Sequence, residues 1–316
     1  MAGEGAPLYP PPGLAVPAGA AEWFAGAGGI RLRAALFPAE HPRGTVVLSG
    51  GRSEFIEKYL EVIGEWVARG YTVLTHDWRG QGLSERLLPD REKGHADGFD
   101  PFAVDFGMLL RAFEDRLPAG PRILVSHSMG GCLTALALAK GEIQADGAIF
   151  TAPMFGIPFT PFWLFRSLIW GANRLGRAKT YAPRGGRNAF SGAFEDNVLT
   201  HDRARFERNM ALILDHRDLA LGPVTWGWIE SAFAAQAWLL RSGALGRIVM
   251  PFTIVAAGQE KLVDVAAEKR FAELIPGCRY VEIAQSLHEV MMETDDIRAI
   301  FWREFDALAL RVSPPN

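Results

Sequence analysis

The chain has 316 residues, of which 49% are hydrophobic and 22% charged, and a formal net charge of -3. This supplies enough apolar material for one large domain or a domain with an insertion, and the mildly acidic balance gives no reason to expect a nucleic-acid partner. The two cysteines, Cys132 and Cys278, have no C-x-x-C spacing, which argues against a metal site or a disulfide and favours a reducing compartment.

The first 21 residues are rich in Pro, Gly and Ala and lack the basic start of a signal peptide. We expect residues 1–21 to form a flexible N-terminal arm. No stretch reaches the roughly 18 to 20 consecutive apolar residues that a transmembrane helix requires. We therefore expect a cytoplasmic protein that would meet a membrane only at its surface.

From residue 22 onward, apolar runs typical of buried strands alternate with segments of helical periodicity. Such alternation predicts an α/β fold, in which a mostly parallel central sheet is flanked by helices through right-handed crossovers. The predicted strands are two within 22–37, then 44–51, 71–77, 122–127, 147–152, 252–257 and 280–284, and the predicted helices are 54–69, 101–117, 129–140, 266–274 and 295–310.

The strand pattern stops in the middle of the chain, where helical patterns take over. We predict a core formed by residues 22–153 and 244–316, with a helical cap inserted at 154–243. The cap begins with a strongly aromatic stretch, and its basic residues from Arg166 to Arg187 precede the first acid, Glu195. An apolar patch rimmed by cations suits acyl chains and anionic head groups. The alternative is that the aromatic residues form the core of the cap and the charges form a solvated face.

A candidate nucleophile lies in the segment Arg122–Gly131, which has the pattern of a strand, a tight turn and a helix, with Ser128 at the turn. In a nucleophile elbow, small residues two positions before and two after the nucleophile let the strand and the helix approach closely. Gly130 fills the second position and Ser126 the first, where Gly is usual. Because Ser has a Cβ that Gly lacks, this departure should tighten the turn.

A serine nucleophile needs a base, and the resulting imidazolium needs a carboxylate to orient it. Of the seven histidines, His288 follows the last predicted strand and should lie at the same sheet edge as Ser128, so we predict that it is the base. Two carboxylates, Glu260 and Asp264, follow the preceding strand. Asp264 has a structural explanation as the N-cap of the next helix, whereas Glu260 has none. We favour Glu260 as the triad acid, with Asp264 as second choice.

The oxyanion of a tetrahedral intermediate needs N–H donors, typically the amide after the nucleophile and one from the loop after the third strand. By position, these are the backbone amides of Met129 and Arg52. We also assign substrate contacts to aromatic residues of the cap and its entrance, namely Phe155, Phe162, Trp163 and Trp226. The pattern implies no metal or organic cofactor, and it leaves the oligomeric state open.

Further motifs lie in segments 51–59, 76–84, 94–99, 127–131 and 151–156, together with 197–206 and 222–226. These segments resemble the bacterial lysophospholipases and monoacylglycerol lipases of the α/β-hydrolase superfamily, and the last two are closest to the lysophospholipase branch. The resemblance implies an α/β-hydrolase fold with an inserted helical cap, and it implies the same nucleophile, base and oxyanion amides.

Three residues depart from the family pattern. Ser126 replaces the usual Gly, Gly50 stands where lipases commonly have a His, and Glu260 replaces the Asp of most members. A Glu at position 260 requires a slightly different loop path. Segment 77–84 is expected to be a structural turn that packs behind the site.

We therefore expect a serine carboxylester hydrolase that cleaves the acyl ester of a single-chain lipid through an acyl-enzyme. A lysophospholipase is the favoured function. The alternatives are a monoacylglycerol lipase, a general carboxylesterase or a thioesterase. An alternative of another class is an inactive lipid-binding protein that keeps the fold. Any contact with a membrane is expected to be peripheral and to involve the cap.

Overall fold

One sheet of eight strands forms the centre of the protein in a computed structural model that describes residues 3–158, 162–183 and 192–313, without the side chains of 162–166. The strands are β1 (Ala20–Ala25), β2 (Arg31–Phe37), β3 (Gly44–Ser49), β4 (Tyr71–His76), β5 (Arg122–His127), β6 (Gly147–Thr151), β7 (Phe252–Ala257) and β8 (Arg279–Ile283). Their order is β1-β2-β4-β3-β5-β6-β7-β8. The pairs β1·β2 and β2·β4 are antiparallel, and all other neighbours are parallel.

Helices cover both faces of this sheet. They are α1 (Leu60–Ala68), α2 (Asp100–Phe113), α3 (Met129–Lys140), α4 (Phe162–Arg174), α5 (Arg203–Asp215), α6 (Trp226–Arg241), α7 (Val265–Leu274) and α8 (Asp295–Val312). On one face, α1 and α8 share an apolar cluster with the sheet, and on the other face α2, α3 and α7 do so together with α6. Because the central strands are buried on both faces, they have continuous apolar runs rather than alternating ones. The predicted α/β architecture is confirmed.

The helix predicted over 54–69 begins later than expected. Residues Ile56–Tyr59 form a 3-10 turn, and α1 starts only at Leu60. The N–H of Ile56 donates to Oδ1 of Asp77 at 3.0 Å, which ties the turn to the loop after β4. The charged side chains of Glu57 and Lys58 point inward to buried ion pairs. A prediction from hydrophobic periodicity treats charged residues as exposed, so it misses charged side chains that point inward.

The segment before β1 differs from the predicted loose arm over residues 3–19. The N–H of Trp23 donates to the carbonyl O of Glu4 at 2.9 Å, so the arm pairs with the free edge of β1. The ring of Tyr9 stacks on His216, with centroids 3.8 Å apart. An edge strand has backbone N–H and C=O groups without a partner in the sheet, and a neighbouring segment of any composition can form hydrogen bonds with them. This is why a Pro- and Gly-rich segment is ordered here.

Between β6 and β7, the described part of the chain contains α4, α5 and α6 but no strand of the sheet. This region is tied to the core by backbone hydrogen bonds, including Thr225 N–H to Gly94 O at 2.9 Å and Gly94 N–H to Pro223 O at 3.0 Å. The cap boundaries at 154 and 243 stay a prediction. Among the described residues, no helix combines the length and apolar character needed to span a bilayer.

Four loops meet at the carboxyl edge of the parallel strands, because such strands end at the same side of a sheet. They follow β3, β5, β7 and β8. The first carries Gly50–Ser53, the second Ser128, the third Glu260 and the fourth His288. The topology therefore gathers the predicted site residues from distant parts of the chain.

Candidate active site

Ser128 occupies a strained turn between β5 and α3, with φ 51 and ψ -119. A positive φ is unfavourable for a residue with a Cβ and persists only where the surroundings enforce it. The Ser128 N–H donates to the carbonyl O of Thr151 at 3.1 Å, which fixes the turn against β6. A Cβ on Gly130 would lie 2.6 Å from the carbonyl O of Ser49, so only Gly lets α3 approach the loop after β3. This close approach is the requirement that the elbow pattern predicts.

Ser126, the departure from the elbow pattern, is accommodated by a partner in α3. Its hydroxyl lies 2.9 Å from Oγ1 of Thr134, and both side chains are fully buried. The hydroxyl group that Ser126 introduces in place of the usual Gly is thus hydrogen-bonded rather than left unsatisfied.

The structure brings Ser128, His288 and Glu260 together in a chain of two hydrogen bonds. Ser128 Oγ lies 3.0 Å from Nε2 of His288, and Nδ1 of His288 lies 2.6 Å from Oε2 of Glu260. Asp264 lies outside this chain: its Oδ1 accepts the N–H of Ala266 at 2.9 Å and that of Ala267 at 3.2 Å. It is the N-cap of α7, as predicted.

The electrostatics of the hydrogen-bond chain favour a charged acid and a more basic imidazole. Burial alone would lower the pKa of His288, but the carboxylates around it, Glu260 first, outweigh burial and raise this pKa. Burial would raise the pKa of Glu260, but His288 and the N–H groups of Leu262 and Val263 lower it. With Nδ1 bonded to a carboxylate, Nε2 is left to accept a proton from the Ser128 hydroxyl.

The loop after β3 has one amide free beside the nucleophile. The Gly51 N–H is taken by Oε2 of Glu54, and the Ser53 N–H donates to Oε1 of Gln81 at 3.3 Å. The Arg52 N–H between them makes no hydrogen bond to any described residue, and the same holds for Met129 N–H. A Cβ on Gly51 would lie 3.1 Å from Cβ of Ser128, so the loop is packed against the elbow. Two unpaired donors thus lie close to the candidate nucleophile.

The predicted structural turn 77–84 supports this loop from behind. Trp78 Nε1 donates to the carbonyl O of Gly50, and Gln81 Nε2 donates to that of Gly51, both at 2.9 Å. Its Asp77 forms a fully buried ion pair with Arg33. The segment therefore makes structural contacts of the kind expected.

A buried ionic network next to the site has no counterpart in the sequence predictions. Lys58 Nζ lies 2.5 Å from Oε1 of Glu54 and 2.5 Å from Oε1 of Glu289, and it thereby joins the loop after β3 to the loop that carries His288. The cation of Lys58 and its hydrogen bond outweigh burial and lower the pKa of Glu54 to about 2. The available signal was a Glu and a Lys four residues apart, Glu54 and Lys58, on either side of Phe55 and Ile56.

His127, the neighbour of the candidate nucleophile, belongs to the same buried layer. Its ring centroid lies 4.7 Å from that of His288, and its Nδ1 lies 3.1 Å from the carbonyl O of Thr151. Burial lowers the pKa of His127 to about 3, so this imidazole stays neutral beside the candidate base.

A cavity of about 840 Å³ opens between α4, α6 and α7. Phe155, one of the predicted substrate contacts, lines it and stacks on Phe271 with centroids 4.1 Å apart. Trp226 is only 7% exposed, belongs to the apolar core and is not part of the cavity lining. The side chains of Phe162 and Trp163 lie outside the described residues.

The chain matches known proteins over most of its length. A family model described as "Serine aminopeptidase, S33" matches residues 40–295. Over 288 residues the chain is 32% identical to Lysophospholipase L2 of Escherichia coli, covering 88% of this chain and 83% of that protein. The chain belongs to the lysophospholipase and monoacylglycerol lipase family. A further member, Monoacylglycerol lipase of Mycolicibacterium smegmatis, is 36% identical over 131 residues, which are 41% of this chain and 45% of that protein.

Solved structures with the fold of this lipase family cover almost the whole chain. A soluble variant of monoglyceride lipase from Saccharomyces cerevisiae superposes with a TM-score of 0.72 at 18% identity, covering 97% of this chain and 100% of that one. Monoacylglycerol lipase of Paleococcus ferrophilus gives a TM-score of 0.68 at 18% identity, covering 89% and 99%. These similarities confirm the predicted α/β-hydrolase fold.

Proposed function

We propose that this member of the family is a serine carboxylester hydrolase that removes the acyl chain of a lysophospholipid. Ser128 Oγ attacks the ester carbonyl while Nε2 of His288 takes its proton, and the amides of Arg52 and Met129 stabilise the oxyanion. His288 then gives the proton to the departing glycerol oxygen, and water releases the fatty acid from Ser128. The observation that carries the proposal is the continuous hydrogen-bond chain of 3.0 and 2.6 Å from Ser128 through His288 to Glu260.

The cavity beside α4 and α6 is proposed to take the acyl chain. Its lining is largely apolar near Phe155 and Ile169, and each buried methylene contributes about 0.8 kcal/mol. Phe162, Trp163 and Trp226 remain proposed substrate contacts. A single-chain lipid fits such a groove better than a short polar ester would.

A lysophospholipid is favoured over a monoacylglycerol by two observations. Relatives that match 88% of the chain are lysophospholipases, in Escherichia coli at 32% identity and, as a probable one, in Haemophilus influenzae at 28%. The cap also carries several basic residues from Arg166 to Arg187 with no acid between them, which suits a phosphate-bearing substrate. Monoacylglycerol lipase is the second candidate, because a monoglyceride lipase homolog of Monkeypox virus matches 85% of the chain at 22% identity and other glyceride lipases match part of it.

Peripheral contact with a membrane is proposed through α4. Two apolar side chains there are largely exposed, Trp170 at 64% and Leu168 at 53%, and Leu175 directly after the helix is 77% exposed. Basic residues Arg174 and Arg177 flank them. Exposed apolar groups beside cations favour an anionic bilayer surface, from which a single-chain lipid could enter the cavity.

The test compares S128A with S126A, a matched variant of a serine two residues away that does not contact His288. Lysophosphatidylcholine and a monoacylglycerol of the same acyl chain serve as substrates. We expect S128A to lose activity on both lipids, on the order of 10⁴-fold or more, and to lose labelling by a fluorophosphonate. S126A should keep both. Full activity in S128A would refute the mechanism, and a clear preference of the wild type for the monoacylglycerol would favour the second candidate.

A further inference from the structure

The side chain of Arg52 forms no ion pair with any carboxylate of the described residues. Its Nη2 donates to the carbonyl O of Gly222 in the cap, and its guanidinium lies over the ring of Trp228 at 5.7 Å. Nε is buried and has no hydrogen-bond partner among the described residues. Burial lowers the pKa of Arg52 to about 10, so the group is still a cation at neutral pH.

A desolvated cation without a counter-ion is unfavourable, and the most buried arginines of the described chain, Arg33, Arg205 and Arg298, each pair with carboxylates. Arg33, for example, lies 2.7 Å from carboxylate oxygens of both Glu57 and Asp77. At Arg52, no carboxylate of the described residues neutralises the guanidinium. Gly94 leaves room for it, because a Cβ on Gly94 would lie only 2.7 Å from Nη2. The missing anion is thus a candidate part of the substrate.

The position of Arg52 relative to the reacting centre limits which anion this is. Its backbone N–H is a proposed oxyanion donor, and Gly51 before it contacts the elbow at Ser128. About five bonds join the Cα of an arginine to its guanidinium carbon, and about six bonds separate the ester carbonyl carbon of a glycerol lysophospholipid from its phosphorus. A substrate whose carbonyl is held at the Arg52 amide therefore carries its phosphate within the reach of the Arg52 side chain.

We propose that the guanidinium of Arg52 binds the phosphodiester of the lysophospholipid head group, while the amide of the same residue binds the ester oxyanion. Guanidinium suits this task because its planar donors match phosphate oxygens and stay charged. Arg52 then selects a phosphate-bearing lipid over a neutral glyceride. This inference rests on the proposed function and adds the residue that sets head-group preference.

The test uses R52Q, which keeps the backbone amide, and R86Q as a matched control. Arg86 also donates to cap carbonyls, those of Asp218 at 2.8 Å and Ala220 at 3.1 Å, and burial lowers its pKa to about 10 as well. Its Nε is satisfied by the carbonyl O of Arg91 at 3.1 Å. We expect R52Q to lower kcat/KM for lysophosphatidylcholine by at least about tenfold and that for the matched monoacylglycerol by less than about threefold. R86Q should leave the ratio of the two unchanged.

A binding experiment separates the head group from a free anion. Glycerophosphocholine should inhibit hydrolysis of a soluble short-chain ester by the wild type and by R86Q, and its inhibition constant should rise at least about tenfold in R52Q. Inorganic phosphate should inhibit more weakly. Inhibition by inorganic phosphate that equals or exceeds inhibition by glycerophosphocholine would overturn the head-group assignment.

Two further outcomes keep this inference separate from the proposed function. If the wild type cleaves lysophosphatidylcholine and S128A does not, but folded R52Q changes both lipids equally or neither, Arg52 is not the head-group residue and the hydrolase stands. If S128A retains activity, the proposed function itself fails. R52K keeps the charge but loses the planar guanidinium, so it should show a smaller loss of lysophospholipid preference than R52Q. If R52Q does not fold, R52K decides the question. An unchanged substrate ratio in R52K would then overturn the inference.

Discussion

Glu260 divides its two carboxylate oxygens between two tasks. Oε2 meets Nδ1 of His288, while Oε1 accepts the N–H groups of Lys261 at 2.8 Å and Leu262 at 2.6 Å. The second set of bonds fixes the turn after β7, so the longer side chain of a Glu is held by its own loop. This arrangement holds Glu260, the proposed triad acid, in reach of His288 from the loop after β7.

We predict that E260Q lowers kcat/KM strongly, whereas D264N changes it little. E260Q removes the charge that keeps the pKa of His288 raised, so kcat/KM should fall on the order of 10²- to 10⁴-fold and the acidic limb of its pH profile should move to lower pH. D264N should keep kcat/KM within a few-fold and cost about 1 kcal/mol or less of stability, because only an N-cap is altered. Steady-state kinetics across pH and thermal melting measure both. The reverse result would make Asp264 the triad acid.

The three residues of the hydrogen-bond chain were predictable because each follows a strand, and parallel strands end at one edge. Their neighbours were not. Glu289 contacts Lys58 across 231 positions of the chain, and such a contact depends on how two loops meet rather than on any local pattern. The unpaired guanidinium of Arg52 is likewise visible only when all surrounding side chains are known.

Among the described helices, α4 exposes two large apolar side chains, Leu168 and Trp170, and ends at the basic residue Arg174. The alternation of strands and helices in the core was predictable, since burial on both faces leaves a continuous apolar run in each central strand. The 3-10 turn before α1 was not, because inward-facing ion pairs override periodicity there. For α4, the aromatic and basic composition was visible, but which side chains are exposed was not.

We predict that L168Q/L175Q weakens binding to vesicles containing anionic phosphatidylglycerol by about tenfold or more, because two apolar contacts with the bilayer are lost. L310Q is the matched control: Leu310 is 75% exposed but lies on α8. Vesicle co-sedimentation measures the effect, and hydrolysis of a soluble short-chain ester should not change. Equal loss in both variants, or none in either, would exclude α4 as the contact surface.

At the scale of the whole molecule, ionic networks join parts of the chain that lie far apart in sequence. Lys58 links the loop after β3 to the loop after β8, and Arg205 of α5 lies 2.6 Å from Glu61 of α1. The first network lies directly behind the site and the second ties the middle of the chain to the core. Removing one member of a fully buried network leaves uncompensated charge, which costs more than the pair itself contributes.

We predict that K58M lowers the free energy of unfolding by about 3–5 kcal/mol, because Glu54 and Glu289 would be left buried without their cation. R203M is the control, since the ion pairs of Arg203 with Glu195 and Glu207 are exposed and should matter little. Urea denaturation measures both midpoints. A midpoint for K58M as high as that of R203M would mean that the network does not contribute to stability.

The distance along the chain between Ser128 and His288, 160 positions, has a consequence for biosynthesis. Domains generally fold as units while the polypeptide is made. A nascent chain that already contains Ser128 lacks Glu260 and His288 until the loops after β7 and β8 have been translated. In the proposed mechanism, such a chain is therefore inert toward the lipids around it until its last strand has joined the sheet.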